Sequence, residues 1–350
     1  MKWTVLLAIG LTFFGCSSNE NALDLRDSEE WLIPNNAVFD GGPGKDGIPA
    51  LTDPSTAPIG AVNLNYLADD DLVLVFKDGD EITAYPHRIL DWHEIANDKV
   101  GETELAVIYC PLTGTGLGWG RTLNGETTTF GVSGLLYETN IMPFDRLTDS
   151  YWNQMFNQCV NGELLGEVPK FFNTVQMSFG ALATLYPSAK VLTTSTGFSR
   201  DYARYPYGSY LTNAQTLFPV ERFDETIHPK EFVRGVVVGE ASAAFRFPDA
   251  GRSLQVVSVG GSEIVVVADK DKDFIVSFMK GEIDDTALTF ELVADSGSEA
   301  IMLDQLGNEW NLFGEAISGP NQGAKLQIPY SYMGFWFAWA NFYPNIDLIE

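Results

Sequence analysis

Trp152-Asn153-Gln154-Met155-Phe156-Asn157-Gln158-Cys159-Val160-Asn161-Gly162 returns in diverged form as Trp310-Asn311-Leu312-Phe313-Gly314-Glu315-Ala316-Ile317-Ser318-Gly319. Each run leads into an aromatic helical segment ending in Tyr-Pro, at Tyr186-Pro187 and Tyr343-Pro344, and the two Trp-to-Pro separations agree to within one residue. Upstream, Phe130 and Phe290 precede the two tryptophans at similar distances, and Asp145-Arg146-Leu147 is echoed by Asp304-Gln305-Leu306. An ordered set of such matches is the signature of internal repetition. Around these landmarks lie short apolar runs, among them Leu72–Phe76, Glu81–Ala84, Glu104–Tyr109, Thr127–Val132, Arg234–Val238, Ala241–Phe247 and Phe274–Phe278. Turn dipeptides such as Asp78-Gly79 and Asn124-Gly125 separate neighbouring runs, the pattern of antiparallel hairpins. The expected fold is therefore α+β, mainly β: two tandem, diverged copies of an antiparallel β unit, each closed by an aromatic-rich helix.

The organisation along the chain follows from the same reading. Residues 1–16 form a leader, 17–68 a tether and extended arm, 69–195 the first repeat, 196–230 an aromatic and arginine-bearing crossover, and 231–350 the second repeat. The leader has Lys2 and an apolar run from Val5 to Phe14 of about ten residues, too short to span a bilayer as a helix but of signal-peptide length. Gly15-Cys16 followed by Ser17-Ser18-Asn19 is the arrangement of a bacterial lipoprotein signal, which makes Cys16 the expected lipidation site. The membrane is then reached through a lipid anchor, and the expected location is the cell envelope, on the periplasmic or outer surface.

Asp and Glu number 47 against 21 Lys and Arg, a formal charge of −26. Such a surface repels phosphate backbones, so nucleic acid is not an expected partner. With 45% hydrophobic and 13% aromatic residues the chain has ample material for a packed core.

Residues that chemistry uses are concentrated between Asp91 and Trp152. His93 and Glu94 lie in Asp91-Trp92-His93-Glu94, and Cys110 ends a strand-like run at Tyr109-Cys110-Pro111-Leu112-Thr113-Gly114. The second copy has Ala268-Asp269-Lys270 where the first has Tyr109-Cys110-Pro111, and it has no Trp-His-Glu counterpart, which assigns any chemistry to the first copy. A cysteine is nucleophile or ligand as the thiolate, so Cys110 needs a base or donors nearby. His93 as base, with Glu94 or Asp91 orienting its ring, is one arrangement. The other reading makes Cys110 a small apolar strand-end residue and His93 a hydrogen-bonded helix residue. A soft metal site on His93, Cys110 and His87 or Glu94 is a further option. Pairing of Cys110 with Cys159 would close a loop of about fifty residues, worth roughly 4 kcal/mol. Asp145-Arg146 reads as an ion pair beside a turn. Arg200 and Arg204, interleaved with aromatics, read either as stacked on them or as a lid presenting donors to a carboxylate.

Several motifs occur in one order: Ala84-Tyr85-Pro86, Ile89-Leu90-Asp91-Trp92-His93-Glu94-Ile95-Ala96-Asn97-Asp98, Tyr109-Cys110-Pro111-Leu112, Phe130-Gly131-Val132-Ser133-Gly134-Leu135-Leu136, Asp145-Arg146 and Trp152. In these the chain resembles the bacterial and archaeal domain-of-unknown-function family 3179, some of whose members are selenoproteins. The family's common Cys-Pro-Leu-Cys, or its selenocysteine form, implies a redox or metal-binding pair. Here Thr113 occupies the second position, so a vicinal dithiol is missing. Together these readings place a thiol, redox or ligand-binding pocket at Cys110, His93 and Glu94, with Thr113, Asp145, Arg146, Arg200 and Arg204 as candidate ligand contacts and a small-molecule or redox partner. The alternative is a non-enzymatic binding or structural envelope protein whose ancestral Cys-x-x-Cys site has decayed.

Overall fold

The computed structural model describes residues 30–294 and 297–350. Strands dominate, and the described residues hold three short α-helices: α1 (His87–His93), α2 (Phe179–Leu185) and α3 (Trp336–Phe342). The mainly β, α+β class is as expected. The leader with Cys16 lies outside the described residues.

Local sequence explains the hairpins. Leu72–Asp78 and Glu81–Pro86 pair antiparallel with Asp78 opposite Glu81, and Gly79 supplies the positive φ, 57°, that the two-residue turn requires. Asn124 and Gly125, at φ 50° and 85°, turn the chain between Leu123 and Glu126 in the same way.

The strand orders of the two halves run side by side. In the first, Leu72–Asp78 lies between Glu81–Pro86 and Val175–Ser178, Lys190–Leu192 adds in parallel to Glu81–Pro86, and α2 bridges the last two strands in the chain. In the second, Phe232–Val238 lies between Ala241–Phe245 and Tyr330–Phe335, Asp347–Ile349 adds in parallel to Ala241–Phe245, and α3 makes the bridge. Three-strand meanders follow at 95–120 and 252–279. Four-strand antiparallel sheets then cover 130–161 and 290–318, and each shifts register just before its tryptophan, Trp152 or Trp310. No helix corresponds to α1 between Ala241–Phe245 and the strand Arg252–Val259.

The cores cross between the halves. One joins α3, Val233, Ala244, Tyr332 and Phe335 to Ile108, Leu117, Trp119, Phe130 and Trp152. The other joins Leu182 of α2, Val73, Val75, Ala84 and Met177 to Val265, Val276, Phe278 and Trp310. Every residue of α3 is buried, as befits a helix that is apolar but for Asn341, whose amide donates to Glu138 Oε2 at 2.9 Å. Its Trp339 lies directly on Gly235, where a Cβ would fall 2.1 Å from the indole Cε2, so only glycine fits under that ring. The segment after residue 30 pads sheet edges: Val38–Asp40 on Leu135–Tyr137, Leu51–Thr52 on Ala96–Asn97, and Thr56–Pro58 on Lys190–Leu192.

Candidate functional site

The C-terminal cap of α1 and the end of the strand Thr103–Cys110 deliver Glu94 and Cys110 to one place. Glu94 caps α1 with its N–H on Leu90 O at 2.7 Å, and its carbonyl accepts from Tyr109 N at 2.7 Å, fixing it beside the strand Thr103–Cys110. Its φ of 58° is unusual for a residue with a side chain, and glycine would be cheaper at such a cap. The carboxyl, 6% exposed, lines a cavity of about 230 Å³ whose walls are otherwise largely apolar, among them Ile48, Leu112, Val132, Leu135 and Ile141. Burial pushes the Glu94 pKa up to about 7, opposed by the Tyr207 hydroxyl that donates to Oε1 at 3.1 Å.

Cys110 is buried at the head of the turn Pro111–Gly114, with its Sγ 3.8 Å from Thr139 O. Burial raises its pKa to about 11 and the Glu94 charge adds to the rise, whereas the Thr113 hydroxyl and amide and the Ile141 amide favour the thiolate. The 110 and 113 side chains therefore meet, as a Cys-x-x-Cys pair would. Thr113 also belongs to a closed polar network: its hydroxyl bonds Thr115 Oγ1 at 2.8 Å and accepts from Asn140 Nδ2 at 3.0 Å. Gln154 completes it, accepting from Thr115 at 2.6 Å and Asn140 at 2.7 Å and donating to Ile108 O at 2.9 Å. Backbone strain gathers here. Glu138 and Thr139, at φ 51° and 66°, turn the hairpin that faces Cys110, and neither is a residue that favours that region.

The crossover clamps the turn from outside. Tyr205 donates to Pro111 O at 3.4 Å and Tyr210 to Leu112 O at 2.6 Å, while Lys230 holds the crossover by donating to Asn213 O at 2.8 Å and Gln215 O at 2.7 Å. Arg200 and Arg204 lie over the Trp92 ring at 5.8 and 5.9 Å, and Trp92 Nε1 donates to Arg204 O at 3.1 Å.

His93 is placed next to the site but is fully engaged. Its Nδ1 donates to Pro49 O at 2.7 Å, so the neutral ring accepts from the Tyr202 hydroxyl at Nε2, also 2.7 Å, and Tyr202 accepts from Thr196 at 2.6 Å. Burial lowers its pKa, the Pro49 carbonyl opposes this, and the Arg200 charge adds to it. No hydrogen bond joins His93 to Cys110 among the described residues.

Asp145 and Arg146 do not pair with each other. Arg146 makes a two-point ion pair with Asp46, at 2.6 and 2.8 Å, whereas Asp145 is buried and accepts from Leu147 N, Thr148 N and Trp152 Nε1 at 3.1, 2.7 and 2.9 Å. Asp145 is the last residue of the strand Asn140–Asp145 and Arg146 the first of the turn that follows it, which separates the two. Cys110 and Cys159 are both free, so the disulfide reading is set aside. Among the described residues no three of His, Cys, Asp and Glu come together as a metal-binding group, and no helix is long and apolar enough to cross a membrane.

The sequence reading missed Tyr205, Tyr207, Tyr210, Asn140 and Gln154. The tyrosine spacing in the crossover was the available signal. Comparison with known proteins gives one family, described as "Protein of unknown function (DUF3179)", which matches residues 45–346. No curated protein and no solved structure matches the chain.

Proposed function

The chain belongs to the family of proteins of unknown function DUF3179, and on that premise we propose that it is a cell-envelope lipoprotein that binds a small, largely apolar ligand in the Glu94 cavity. A donor group on the ligand meets the Glu94 carboxyl, and the Cys110 thiol lies behind it. One observation carries this reading: an ionisable carboxyl faces an otherwise largely apolar cavity from a strained backbone position, and such strain gathers at working sites. The Met1–Cys16 leader supports anchoring by lipid at Cys16, and the acidic balance argues against nucleic acid. We further infer that 69–195 and 231–350 are diverged copies of one unit. The parallel strand orders and the paired Trp–Asp hydrogen bonds described below support this, and the site arose in the copy that contains α1.

A second reading, thiol chemistry at Cys110, is favoured by the backbone donors of Thr113 and Ile141 that stabilise a thiolate. The burial of Cys110 and the engaged state of both His93 nitrogens put binding first.

The test uses the mature protein and N-phenyl-1-naphthylamine, an apolar fluorophore with one N–H donor. Binding is expected in the wild type, weakened in Glu94→Gln and retained in Cys110→Ser. Absence of binding, or equal binding by Glu94→Gln, would overturn the ligand reading. Rapid alkylation of native Cys110 by iodoacetamide at neutral pH would move the assignment to thiol chemistry.

A further inference from the structure

A second cavity, about 340 Å³, is lined by polar groups that make no hydrogen bond within the protein. His87, 8% exposed, has its Nε2 buried without a partner. Asp91 stands one turn along α1 on the same face. Among the described residues its carboxyl accepts no hydrogen bond, and the hydroxyl of Tyr109, whose ring lies 4.5 Å from that of His87, makes none either. All three line the same cavity, with Tyr205 and Phe232 supplying aromatic wall.

The charges around the cavity leave Asp91 without a direct partner. Arg88 is bonded to Asp71 Oδ2 at 2.6 Å and to Ala203 O at 3.4 Å, and Arg204 lies over Trp92. Asp70 and Asp71 add two more carboxylates to the lining, and Asp71 is the one paired with Arg88. Burial, the main influence, raises the Asp91 pKa well above the usual carboxylate range, with Arg88 opposing and Glu94 adding. Burial also lowers the His87 pKa to about 3, so the imidazole stays neutral and can accept rather than compete as a cation. A cation bound beside Asp91 favours its ionised form, so the inventory is three acceptors, a carboxylate, an imidazole nitrogen and a phenol oxygen, beside aromatic faces. An alkylammonium has three N–H donors and a charge that aromatic faces attract.

We propose that this cavity is a binding site for a small primary ammonium ion, held by Asp91, His87 Nε2 and the Tyr109 hydroxyl. The proposal does not rest on the function proposed for the Glu94 cavity.

The experiment is calorimetric titration of the mature protein with n-butylammonium, with n-butanol as the neutral control. Binding of the amine and not of the alcohol is expected. Asp91→Asn, which keeps the shape, should weaken it by about tenfold or more through loss of a charge-assisted bond. Tyr109→Phe, which keeps the ring, should weaken it less. The thermal midpoint of each variant establishes that it is folded. No binding of the amine at millimolar concentration, equal binding of butanol, or unweakened binding by folded Asp91→Asn would each overturn the proposal.

Discussion

Tyr207 donates its hydroxyl to Glu94 Oε1 at 3.1 Å, and this bond ties the crossover to the carboxyl on which the proposed site depends. The bond favours the ionised form, against burial, which favours the neutral one. A carboxyl whose folded pKa lies above its unfolded value stabilises the fold below the unfolded pKa and loses that contribution as pH rises through the folded value. The wild type should therefore lose stability relative to Glu94→Gln between pH 4.5 and about 7, with the difference levelling off near 3 kcal/mol, an order-of-magnitude figure. Tyr207→Phe should push the upper end of that window higher. Denaturant melts of the three proteins across this range provide the check, and a pH-independent difference between wild type and Glu94→Gln would show that Glu94 is not raised.

The two buried thiols give a second expectation. Burial is the main cause that raises the Cys110 pKa to about 11 and the Cys159 pKa to about 12, so little thiolate exists at neutral pH. Intact mass after maleimide treatment of the protein lacking the leader should show both thiols unlabelled while folded and both labelled in guanidinium. As pH rises, Cys110 should react first. Removing the nearby negative charge in Glu94→Gln lowers the Cys110 pKa, so labelling should be faster in that variant. A disulfide-linked mass would contradict the two free cysteines.

Trp152 and Trp310 each donate an indole N–H to a buried aspartate, Asp145 or Asp304, at 2.9 Å. Each aspartate also gathers backbone donors from its own turn: Leu147 and Thr148 in one case, Leu306 and Asn308 in the other. Alanine at either position strands several buried donors, and both Asp145→Ala and Asp304→Ala should cost about 3 kcal/mol or more. The cores cross between the halves, so each variant should unfold in one transition. Urea melts followed by tryptophan fluorescence test this, and two separated transitions would show that the halves fold independently.

These paired turns also mark how far the sequence could be read. Strand runs and Gly-bearing turns are local signals, and the mainly β class was legible from them. The sharing of cores was not, because the packing of Val73 and Val75 against Val265 and Val276 leaves no trace in either segment alone. Glu94 stood out through its neighbours Trp92 and His93, but the tie to Tyr207 spans more than a hundred residues. Glu138-Thr139 offered no turn signal, since a left-handed pair is normally announced by Asn or Gly. Adjacency misled at Asp145-Arg146, where the strand ends with Asp145 buried and the turn begins with Arg146 reaching out to Asp46.

Arg234 supplies the last prediction. It is fully buried in the strand Phe232–Val238, and no carboxylate pairs with it among the described residues. Nη2 donates to Asn173 Oδ1 and Ser331 Oγ at 2.8 and 2.9 Å, Nε reaches Ser277 Oγ at 3.3 Å, and Nη1 has no partner. Burial lowers its pKa to about 9, the mark of a charge held at a cost. Replacing such a group by an apolar side chain of similar length removes the desolvation penalty, provided that its partners stay satisfied. The two serines do here, because Ser277 donates to Ser331 at 3.0 Å and Ser331 to Pro329 O at 3.0 Å, and Asn173, whose Oδ1 loses a donor, is only half-buried. Arg234→Met should therefore be more stable than the wild type by about 1–4 kcal/mol at neutral pH. Arg234→Ala, which leaves a cavity as well, should fall below the Met variant by about 2 kcal/mol or more. Thermal and urea unfolding of the three proteins order them directly. A Met variant less stable than the wild type would mean that the buried guanidinium is a net contributor to the fold.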